Sequence, residues 1–518
     1  MAQATTESKT TAPVTVITTS GCPHCKRAKE ALKEAGIPYE EVELSGNLNL
    51  LNKIKEATGR RTVPQVFLNG ELLGGASEVV ELLGSGQMQK LVQQADKPAL
   101  PDSLRQAVQA AAPPAEASTS SVLMPSGVSK EEYSKLRSMA ERMHSLQGGV
   151  ERKGHRKWLS ANENTFTLKE ATQWVIQQKL TADSPAALQL VAQLQQAHLL
   201  SVVEGESVDL AKTSLAPNSD LLVRLTADTP KARLGQTLNG QLPWYGSARG
   251  ASEVAEGLRQ MILRLYDTHL SPDGRQVDYK ALAADPAFQD YVTATAELQR
   301  VDLTSLSREE RMAFFINIYN ALVVHALTTF GPAANNVLSR LHWFGNIKYN
   351  IGGLDFSSND IEHGVLRGNA PSPASIPVLV GKPQLAPATF KDNDPRSKLS
   401  VQPVDPRIHF ALVCGAKSCP PIKVYTPDSL EAGLDSAAAA FCEGEVQVDR
   451  AAGEVHMSKI FKWYAGDFGP QEKLLPWLLQ YLDGQTKADL EALIKERGAD
   501  KIKLSYKPYD WGVNGKTD

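Results

Sequence analysis

Two cysteines separated by two residues stand near the start of the chain, in the sequence Cys22-Pro23-His24-Cys25. Thiols at this spacing can approach closely enough to form a disulfide, and the same spacing occurs in zinc sites. A zinc site needs four ligands, usually supplied as two pairs, and the neighbouring sequence offers no second pair. We therefore predict no metal here, and a pair of inert core thiols or a redox pair remains.

The surrounding sequence favours the redox interpretation. Residues 14–17 are β-branched and apolar, which predicts a buried strand, and a helical pattern follows from Cys25. Cys22 then falls at the start of a helix, where free N–H groups and the positive end of the helix dipole stabilise a thiolate. Lys26 and Arg27 add positive charge. We expect a Cys22 pKa below the free value of about 8.5, with Cys22 attacking and Cys25 resolving.

The elements that must position this pair follow in a regular order up to residue 83. Hydrophobic patterns and the turn signal Asn69-Gly70 predict strand, helix, strand, helix, hairpin and helix. The predicted ranges are 14–17, 25–35, 39–44, 48–58, 65–68 with 72–73, and 77–83.

Residues 13–96 resemble a dithiol glutaredoxin, a family with a thioredoxin-like fold. The resemblance rests on residues 22–25, on Arg61-Thr62-Val63-Pro64 and on Gly74-Gly75-Ala76-Ser77-Glu78. It implies that Cys22 and Cys25 are catalytic, that Pro64 is cis, and that glutathione is the co-substrate. The glutathione-binding residues that it implies are Arg61, Thr62, Val63, Pro64, Gly75, Ser77 and Glu78.

The resemblance also implies a role for each part of that site. The backbone of Val63 meets the peptide-like part of glutathione, and Gly75 permits close approach. Ser77 and Glu78 meet its γ-glutamyl end, and Arg61 meets a carboxylate.

Two positions depart from the family pattern. His24 stands where the family usually has tyrosine, and Thr19 stands where it commonly has lysine. Loss of that lysine weakens both glutathione binding and thiolate stabilisation. His24 compensates in part only when it is protonated, and otherwise it is an exposed turn residue. We therefore expect a working glutaredoxin whose activity is lower than is usual for the family.

A second module is predicted over residues 136–228, after a flexible linker at 97–135 that is rich in Ala, Pro and Ser. Residues 140–226 resemble a DEP domain, a winged-helix signalling module, through residues 148–158, Phe166 and residues 169–175. The predicted core residues are Trp174, Val175, Leu190, Leu194 and Leu199.

A basic cluster lies in this module, at Arg152, Lys153, Arg156 and Lys157 together with His155. On a hairpin arm it could contact anionic lipid headgroups or an acidic protein partner, and each basic residue near an anionic membrane contributes about 1 kcal/mol. A solvated basic face is the alternative. The resemblance and the net charge argue against nucleic acid as a partner.

The C-terminal half, residues 251–518, follows a second predicted linker at 229–250 and is expected to be a large α/β or α+β domain. It resembles the domain of unknown function five-four-seven, a family that implies no established chemistry. The matching stretches are 315–322, 360–364, 405–421, 458–464 and 509–511. A strand is predicted at 408–413.

Polar residues in this half form the candidate C-terminal site, namely Asn317, Glu362, His363, His409, Cys414 and Cys419. Asn317 and Asn320 lie about 60° apart on an otherwise apolar helix, and buried amides need partners. A thiol hydrolase or transferase, with Cys414 or Cys419 as nucleophile and His363 or His409 as base, is one interpretation. A metal site, a purely structural cluster and a Cys414–Cys419 disulfide reduced by the N-terminal domain are the others.

Length, net charge and hydrophobicity limit the number of domains and the kinds of partner that this protein could have. The 518 residues suffice for about three or four domains of roughly 100–200 residues each. The net charge of −3 gives no general attraction to nucleic acid or anionic membranes. No run of about 18 apolar residues appears, so we expect no membrane-spanning helix, and the polar N-terminus resembles neither a signal nor a transit peptide.

The five cysteines are few and odd in number, which argues against a secreted disulfide framework. We predict a cytoplasmic protein, peripheral at membranes if the basic arm binds lipid.

The sequence thus predicts a glutathione-dependent thiol–disulfide oxidoreductase tethered to a docking module. Its predicted partners are glutathione and disulfide-containing or glutathionylated proteins. The alternative is a signalling scaffold whose redox domain is a sensor or is vestigial.

Overall fold

The computed structural model describes residues 12–19, 22–44, 48–60, 62–111, 128–157, 160–203, 208–271, 276–334, 336–373, 388–419 and 425–516. These residues form three units along the chain, and each unit has its own buried apolar core. The predicted multidomain chain of mixed helices and strands is confirmed.

The N-terminal unit is built on a four-stranded mixed sheet. Its elements are β1 (Val14–Thr18), α1 (Pro23–Glu34), β2 (Tyr39–Glu43), α2 (Leu48–Thr58), β3 (Gln65–Leu68), β4 (Glu71–Gly74), α3 (Ala76–Gly84), α4 (Gln87–Gln93) and α5 (Asp102–Ala111). The strand order is β2-β1-β3-β4, with β1 parallel to β2 and antiparallel to β3. This is the predicted thioredoxin-like sheet.

Different helices cover the two faces of this sheet, because successive strand residues point to opposite sides. Val16 packs on one face in a cluster that includes Val79 of α3. Ile17 packs on the other face with Ile54 of α2 and Leu104 of α5. The sheet therefore holds the start of α1, where the cysteine pair lies, against a rigid core.

The predicted linker at 97–135 is wrong at both ends, and at its C-terminal end residues 130–135 already belong to the helix Lys130–His144. Helix α5 packs Leu104 into the core, and Asn69 Oδ1 accepts hydrogen bonds from the N–H groups of Asp96 and Lys97 at 3.1 and 2.7 Å. The Ala-rich composition concealed an amphipathic helix. Residues 112–127 of the predicted linker lie outside the described residues.

The middle unit combines helices with a four-stranded antiparallel sheet in the order β5-β6-β8-β7. Its elements are α6 (Lys130–His144), β5 (Lys153–Lys157), β6 (Ser160–Thr167), α7 (Leu168–Gln177), α8 (Ser184–Gln196), β7 (Leu200–Val202), α9 (Leu215–Asn218) and β8 (Leu222–Leu225). The predicted core is confirmed, with three residues buried and two packed against them, namely Trp174, Val175 and Leu194, and Leu190 and Leu199.

The first part of the C-terminal unit is mainly helical. Its elements are α10 (Ala251–Thr268), α11 (Tyr279–Ala284), α12 (Pro286–Thr295), α13 (Arg308–Phe330), α14 (Val337–Asn346), β9 (Lys348–Ile351), β10 (Leu354–Ser357) and a π-helical segment (Asp360–Leu366). Strands β9 and β10 form a hairpin that packs beside α14.

The second part adds a three-stranded sheet in the order β11-β12-β13. Its elements are α15 (Leu430–Glu445), β11 (Gln447–Asp449), β12 (Glu454–Ser458), α16 (Lys459–Trp463), α17 (Ala465–Phe468), α18 (Gln471–Leu478), α19 (Gly484–Arg497) and β13 (Lys503–Lys507). Short 3₁₀ turns, among them Pro406–Phe410, connect the helices.

Helix α13 is the centre of the C-terminal core and is buried from Met312 to Thr328. The predicted capping box is present, since Ser307 Oγ accepts from the N–H of Glu310 at 3.1 Å. Among the described helices, this one alone is long and apolar enough to cross a membrane. However, 83% of its most apolar window is buried inside the protein, which is typical of a core helix.

Two further predictions for this half are wrong. The predicted linker at 229–250 is folded onto the C-terminal unit, because Leu238 and Trp244 are buried and Asn239 Nδ2 donates to the carbonyl of Thr295 at 3.0 Å. The predicted strand at 408–413 begins instead as a 3₁₀ turn that Pro406 starts. Its apolar run is buried by the surrounding core rather than by a sheet.

Candidate functional site

The cysteine pair lies where the sequence predicted, at the start of α1. Cys22 is the residue that caps the helix, and its Sγ accepts a hydrogen bond from the N–H of Cys25 at 3.1 Å. The two residues form a disulfide, with their Cα atoms 5.2 Å apart. An N–H group aimed at Sγ stabilises negative charge on that sulfur after reduction, so Cys22 is the sulfur placed to become the thiolate. His24 is exposed and lies in the first turn of α1, not in a turn before it.

The loop before β3 lies beside this pair. The sulfur of Cys22 is 3.9 Å from the carbonyl oxygen of Val63, and the Val63–Pro64 peptide is cis, as predicted. The side chain of Gln65 fixes the loop by donating to the carbonyl of Thr62 at 3.3 Å. The loop therefore presents backbone polar groups next to the reactive sulfur.

The third predicted segment, at the start of α3, is arranged differently from expectation. Both oxygens of Glu78 accept from the guanidinium of Arg60, at 2.7 and 3.2 Å, and one also accepts from the N–H of Gly75 at 3.0 Å. The hydrogen bond from Arg60 lowers the pKa of Glu78. Gly75 has no Cβ, and a Cβ there would collide with the Arg60 guanidinium. Ser77 is exposed in the first helical turn.

An arginine that the sequence analysis missed thus completes this part of the site. Arg61, the predicted carboxylate ligand, lies outside the described residues, whereas its neighbour Arg60 holds Glu78. The sequence shows two consecutive arginines at this point, but the spacing of residues does not tell which of the two faces α3.

Lys26 has a role other than the predicted one. Its ammonium donates to the carbonyl oxygens of Asp267, at 3.0 Å, and Leu270. These carbonyls lie at the C-terminal end of α10, where the helix dipole favours a cation. A charge that was expected to serve Cys22 is therefore used to hold the N-terminal unit on the C-terminal unit.

A second lysine joins the same two units. Lys55 Nζ donates to Ser436 Oγ on α15 at 3.0 Å, and burial lowers the pKa of Lys55 to about 8. The two lysines fix helices α1 and α2 of the redox unit against two separate helices of the C-terminal half.

The basic cluster of the middle unit is partly neutralised. Arg152 pairs with Asp228 at 3.0 Å, and Lys153 pairs with Glu151 at 2.9 Å. The side chains of residues 156–157 lie outside the described residues. Two of the four basic side chains predicted to bind a partner therefore already form ion pairs within the chain.

The C-terminal half contains a cavity of about 290 Å³ that brings together most of the predicted C-terminal site. Glu362, His363, His409, Cys414 and Cys419 all line it. Trp463, Tyr464, Tyr509 and Trp511 complete its aromatic walls. Tyr464 and Tyr509 are functional candidates that the sequence analysis quoted only as part of matching stretches.

The two thiols in this cavity are in direct contact. The Sγ atoms of Cys414 and Cys419 are 2.9 Å apart, and the N–H of Cys414 donates to Cys419 Sγ at 3.2 Å. Gly415 has a φ of +79°, a left-handed conformation that suits glycine, and it turns the chain back so that the cysteines meet. The hydroxyl of Tyr509 lies 3.6 and 3.5 Å from the two sulfurs.

A buried carboxylate lies in the same wall. Glu362 accepts from the hydroxyls of Tyr464, at 2.5 Å, and Tyr319, at 3.1 Å. Burial raises the pKa of Glu362, whereas the charge of His363 and the hydrogen bond from Tyr464 lower it, and the net shift is downward. Because burial lowers the pKa of His363 to about 4, that ring is neutral at pH 7. At that pH the two tyrosine hydroxyls and the nearby Arg367 guanidinium therefore stabilise the carboxylate, and a charged His363 adds to this only in acid.

The histidines of the cavity are held by an ion pair. Arg367 donates to Asp467 at 2.6 and 3.0 Å and to His363 Nδ1 at 3.1 Å, so the proton of the His363 ring is on Nε2. His409 Nε2 is 2.8 Å from the same Asp467 carboxylate. Burial raises the pKa of Asp467, but the hydrogen bonds from His409 and Arg367 outweigh it and lower the value to about 2.

The predicted asparagines lie behind the cavity rather than in it. Asn320 Nδ2 donates to the carbonyl of Ala411 at 3.0 Å, and its Oδ1 accepts from the N–H of Val413 at 2.8 Å. Asn317 Nδ2 donates to the carbonyl of Tyr425 at 2.7 Å. Asn320 therefore fixes the irregular segment that leads into Cys414. Asn317 does not line the cavity, and its role here is structural.

No group of three or more metal-binding side chains occurs among the described residues of the chain. The reactive groups that the two sites present are the sulfurs of Cys22 and Cys25 and those of Cys414 and Cys419.

Comparison with known proteins shows that the N-terminal unit and part of the C-terminal unit match the models of two different families. A glutaredoxin family model matches residues 14–73, and a model described as "Protein of unknown function, DUF547" matches residues 303–442. Glutaredoxin-C6 of Oryza sativa subsp. japonica is 36% identical over 92 residues, which are 17% of this chain and 82% of that protein.

Two further relatives agree. Glutaredoxin-C4 of Arabidopsis thaliana is 39% identical over 82 residues, 15% of this chain and 61% of that protein. Glutaredoxin 3 of Escherichia coli strain K12 is 32% identical over 81 residues, 16% of this chain and 98% of that protein. The similarity thus covers nearly a whole small relative but only about a sixth of this chain.

Proposed function

Because this chain belongs to the glutaredoxin family through its N-terminal unit, we propose that it is a glutathione-dependent thiol–disulfide oxidoreductase acting on glutathionylated and disulfide-containing proteins. One observation carries the proposal. Cys22 caps α1, accepts the N–H of Cys25, and lies 3.9 Å from the Val63 carbonyl that precedes cis-Pro64.

The reaction follows from this geometry. The Cys22 thiolate attacks the glutathione sulfur of a mixed disulfide, and the protein thiolate leaves with the electron pair of the broken S–S bond. A glutathione thiolate then attacks the Cys22–glutathione disulfide, releases glutathione disulfide and regenerates the Cys22 thiolate. For a protein disulfide, Cys25 attacks the mixed disulfide on Cys22 instead, which produces the Cys22–Cys25 disulfide described above.

Glutathione binding is expected along the groove between the Val63 loop and the start of α3. The backbone of Val63 pairs with the peptide groups of glutathione, and the positive end of the α3 dipole attracts the γ-glutamyl carboxylate. The exposed Ser77 hydroxyl adds a hydrogen bond there. Glu78 acts indirectly in this arrangement, because its carboxylate is engaged by Arg60 and Gly75.

The test uses the full chain with a glutathionylated peptide as substrate and glutathione as reductant. Cys22→Ser is expected to lower the rate at least ~100-fold, because it removes the nucleophile. Cys25→Ser keeps most of this activity but loses reduction of a protein disulfide. Cys442→Ser, which changes a buried cysteine, is the matched control. Full activity in Cys22→Ser would contradict the proposal.

The middle unit is proposed to be the DEP-like docking module of this enzyme. The antiparallel sheet, the packed helices and the Trp174 core support that proposal. Because Arg152 and Lys153 are paired with carboxylates, the cluster offers little free positive charge to a lipid headgroup layer, and a protein surface is the target that we propose. Co-sedimentation with phosphatidylserine vesicles, compared between wild type and a charge reversal of all four basic residues, tests this: no difference is expected.

A cytoplasmic location is part of the same proposal, since glutathione-dependent reduction needs a reducing compartment. Fluorescence imaging of the tagged full chain tests it, and an exclusively extracellular or lumenal signal would contradict it.

A further inference from the structure

Cys414 and Cys419 form a sulfur pair that glutaredoxin activity does not require. We propose that this pair is a second redox site, a dithiol that exchanges reversibly with glutathione disulfide to form a Cys414–Cys419 disulfide. The proposal goes beyond the activity of the N-terminal unit, because the pair lies in the half of the chain to which no chemistry is assigned.

The contacts of the two sulfurs favour disulfide chemistry over hydrolysis. A thiol hydrolase needs a histidine within hydrogen-bond reach of its sulfur. Within the part of the chain that the structure describes, the side-chain partners of each sulfur are the other sulfur and the Tyr509 hydroxyl. His363 and His409 instead bond to Arg367 and Asp467. The sulfurs need to move closer by less than about 1 Å to reach bonding distance.

The two thiols differ in a way that suits stepwise exchange. The hydrogen bond from Cys414 and the one from Tyr509 lower the pKa of Cys419 to about 7, against the effect of burial. The same contact and burial raise the pKa of Cys414 well above its ordinary value. Cys419 is therefore the thiolate near neutral pH, and Cys414 holds the shared proton.

The pair is also open to a small co-substrate. Both cysteines are partly exposed, and both line the cavity of about 290 Å³. Cys414 lines a second cavity of about 720 Å³ as well, so it forms part of the wall between the two. Arg340 lines both cavities, with its guanidinium 4.5 Å from the centre of the Trp511 ring, and it is the cation that we expect a carboxylate of glutathione to approach.

The proposed exchange balances in two steps. The Cys419 thiolate attacks one sulfur of glutathione disulfide, the S–S bond breaks, and one glutathione leaves as a thiolate. Cys414 then transfers its proton to that thiolate and attacks Cys419 Sγ, so that the second glutathione leaves. Two protein thiols are oxidised to one disulfide, and one glutathione disulfide is reduced to two glutathione molecules.

The docking of the redox unit gives this exchange a catalyst within the same chain. Lys26, one turn after Cys22, bonds to the end of α10, the helix that also carries Tyr266. The Tyr266 hydroxyl accepts from Asn514 Nδ2 at 2.7 Å, and the N–H of Asn514 donates to the carbonyl of Gly415, beside Cys414, at 3.1 Å. A tethered partner acts at a raised effective concentration. This part alone rests on the proposed function of Cys22.

The experiment equilibrates the full chain with glutathione buffers of increasing disulfide fraction, and each step is quenched by alkylation. Mass spectrometry then reports the state of each cysteine. Cys414 and Cys419 are expected to lose alkylation together and to regain it on return to reduced glutathione. In Cys414→Ser, Cys419 is expected to keep one bound glutathione. Cys442, which is fully buried, serves as the internal control and stays a thiol throughout.

The same titration of the Cys22→Ser, Cys25→Ser double variant separates this proposal from the proposed function. An unchanged midpoint reached at least tenfold more slowly supports both the site and its catalyst. An unchanged midpoint at the wild-type rate overturns the catalytic role of the N-terminal unit alone. Two independently alkylated thiols at every buffer composition, in wild type and in the double variant, overturn the second redox site.

Discussion

The Nζ atom of Lys26 lies 3.0 Å from the carbonyl oxygen of Asp267, so a lysine one turn beyond the redox cysteine caps a helix in the other half of the chain. This contact makes α1 both the helix that activates Cys22 and the helix that joins the redox unit to the C-terminal unit. A substitution at this interface is therefore expected to affect both the redox unit and the C-terminal unit.

Replacing Lys26 with alanine is expected to loosen the end of α10. The carbonyls of Asp267 and Leu270 lose their cation, so amide hydrogen exchange in residues 265–271 should become faster. Lys29→Ala is the matched control, because Lys29 lies on the same helix but pairs with Glu41 inside the N-terminal unit. Equal exchange in the two variants would show that Lys26 does not hold α10.

Burial of Lys55 predicts a pH dependence of docking. The pKa of Lys55 is lowered from 10.5 to about 8 in the docked arrangement. Between these values the undocked state binds the proton and the docked state does not, so docking gains stability as pH rises from 8 to 10.5. Lysine Cε resonances followed by NMR should include one that titrates near pH 8.

That resonance should vanish in Lys55→Met and persist in Lys53→Met, which changes an exposed lysine on the same helix. The prediction fails if every lysine titrates at its ordinary value.

The ion pair behind the C-terminal cavity is expected to be costly to break. Asp467→Asn leaves the buried Arg367 guanidinium without its carboxylate, which should lower the free energy of unfolding of the C-terminal unit by roughly 3–5 kcal/mol. Glu496→Gln, which removes an exposed partner of Arg450, should cost at most about 1 kcal/mol. Urea denaturation followed by tryptophan fluorescence measures both, and equal losses would contradict the structure.

Acid sensitivity is expected from His325 at the centre of the core. Burial lowers its pKa to about 3, whereas the unfolded chain takes up the proton near pH 6.5. Stability from this residue is complete above pH 6.5 and is lost as pH falls towards 3, by about 1.4 kcal/mol per pH unit.

Urea midpoints of wild type and His325→Asn, measured from pH 8 to pH 4.5, test this. Their difference should be constant above pH 7 and should shrink below pH 6.5, because the variant no longer excludes that proton. Parallel curves over the whole range would show that His325 is not held neutral by burial.

Much of the N-terminal unit followed from local patterns. The β-branched run before Cys22, the helical period after it and the Asn69-Gly70 turn each specify a local backbone conformation, and the elements appear within a few residues of the predicted limits. The helix at 102–111 was missed because its small residues resemble a linker, and only its packing against the sheet makes Leu104 a core residue. The prediction of a strand at 408–413 was wrong because a run of buried apolar residues has the same sequence pattern in a strand and in a 3₁₀ turn.

By itself, the sequence determined the position of Cys22 and Cys25 at a helix start, because a motif of neighbouring residues carries its own geometry. Only the tertiary structure decided which distant groups meet. Glu78 is bound by Arg60 instead of being free to meet the γ-glutamyl end of glutathione. Lys26 reaches α10 across 241 positions of the chain, and Cys414 faces Cys419 and Tyr509 instead of a histidine. Such pairs depend on how the buried surfaces of whole helices fit together, and no local spacing records that.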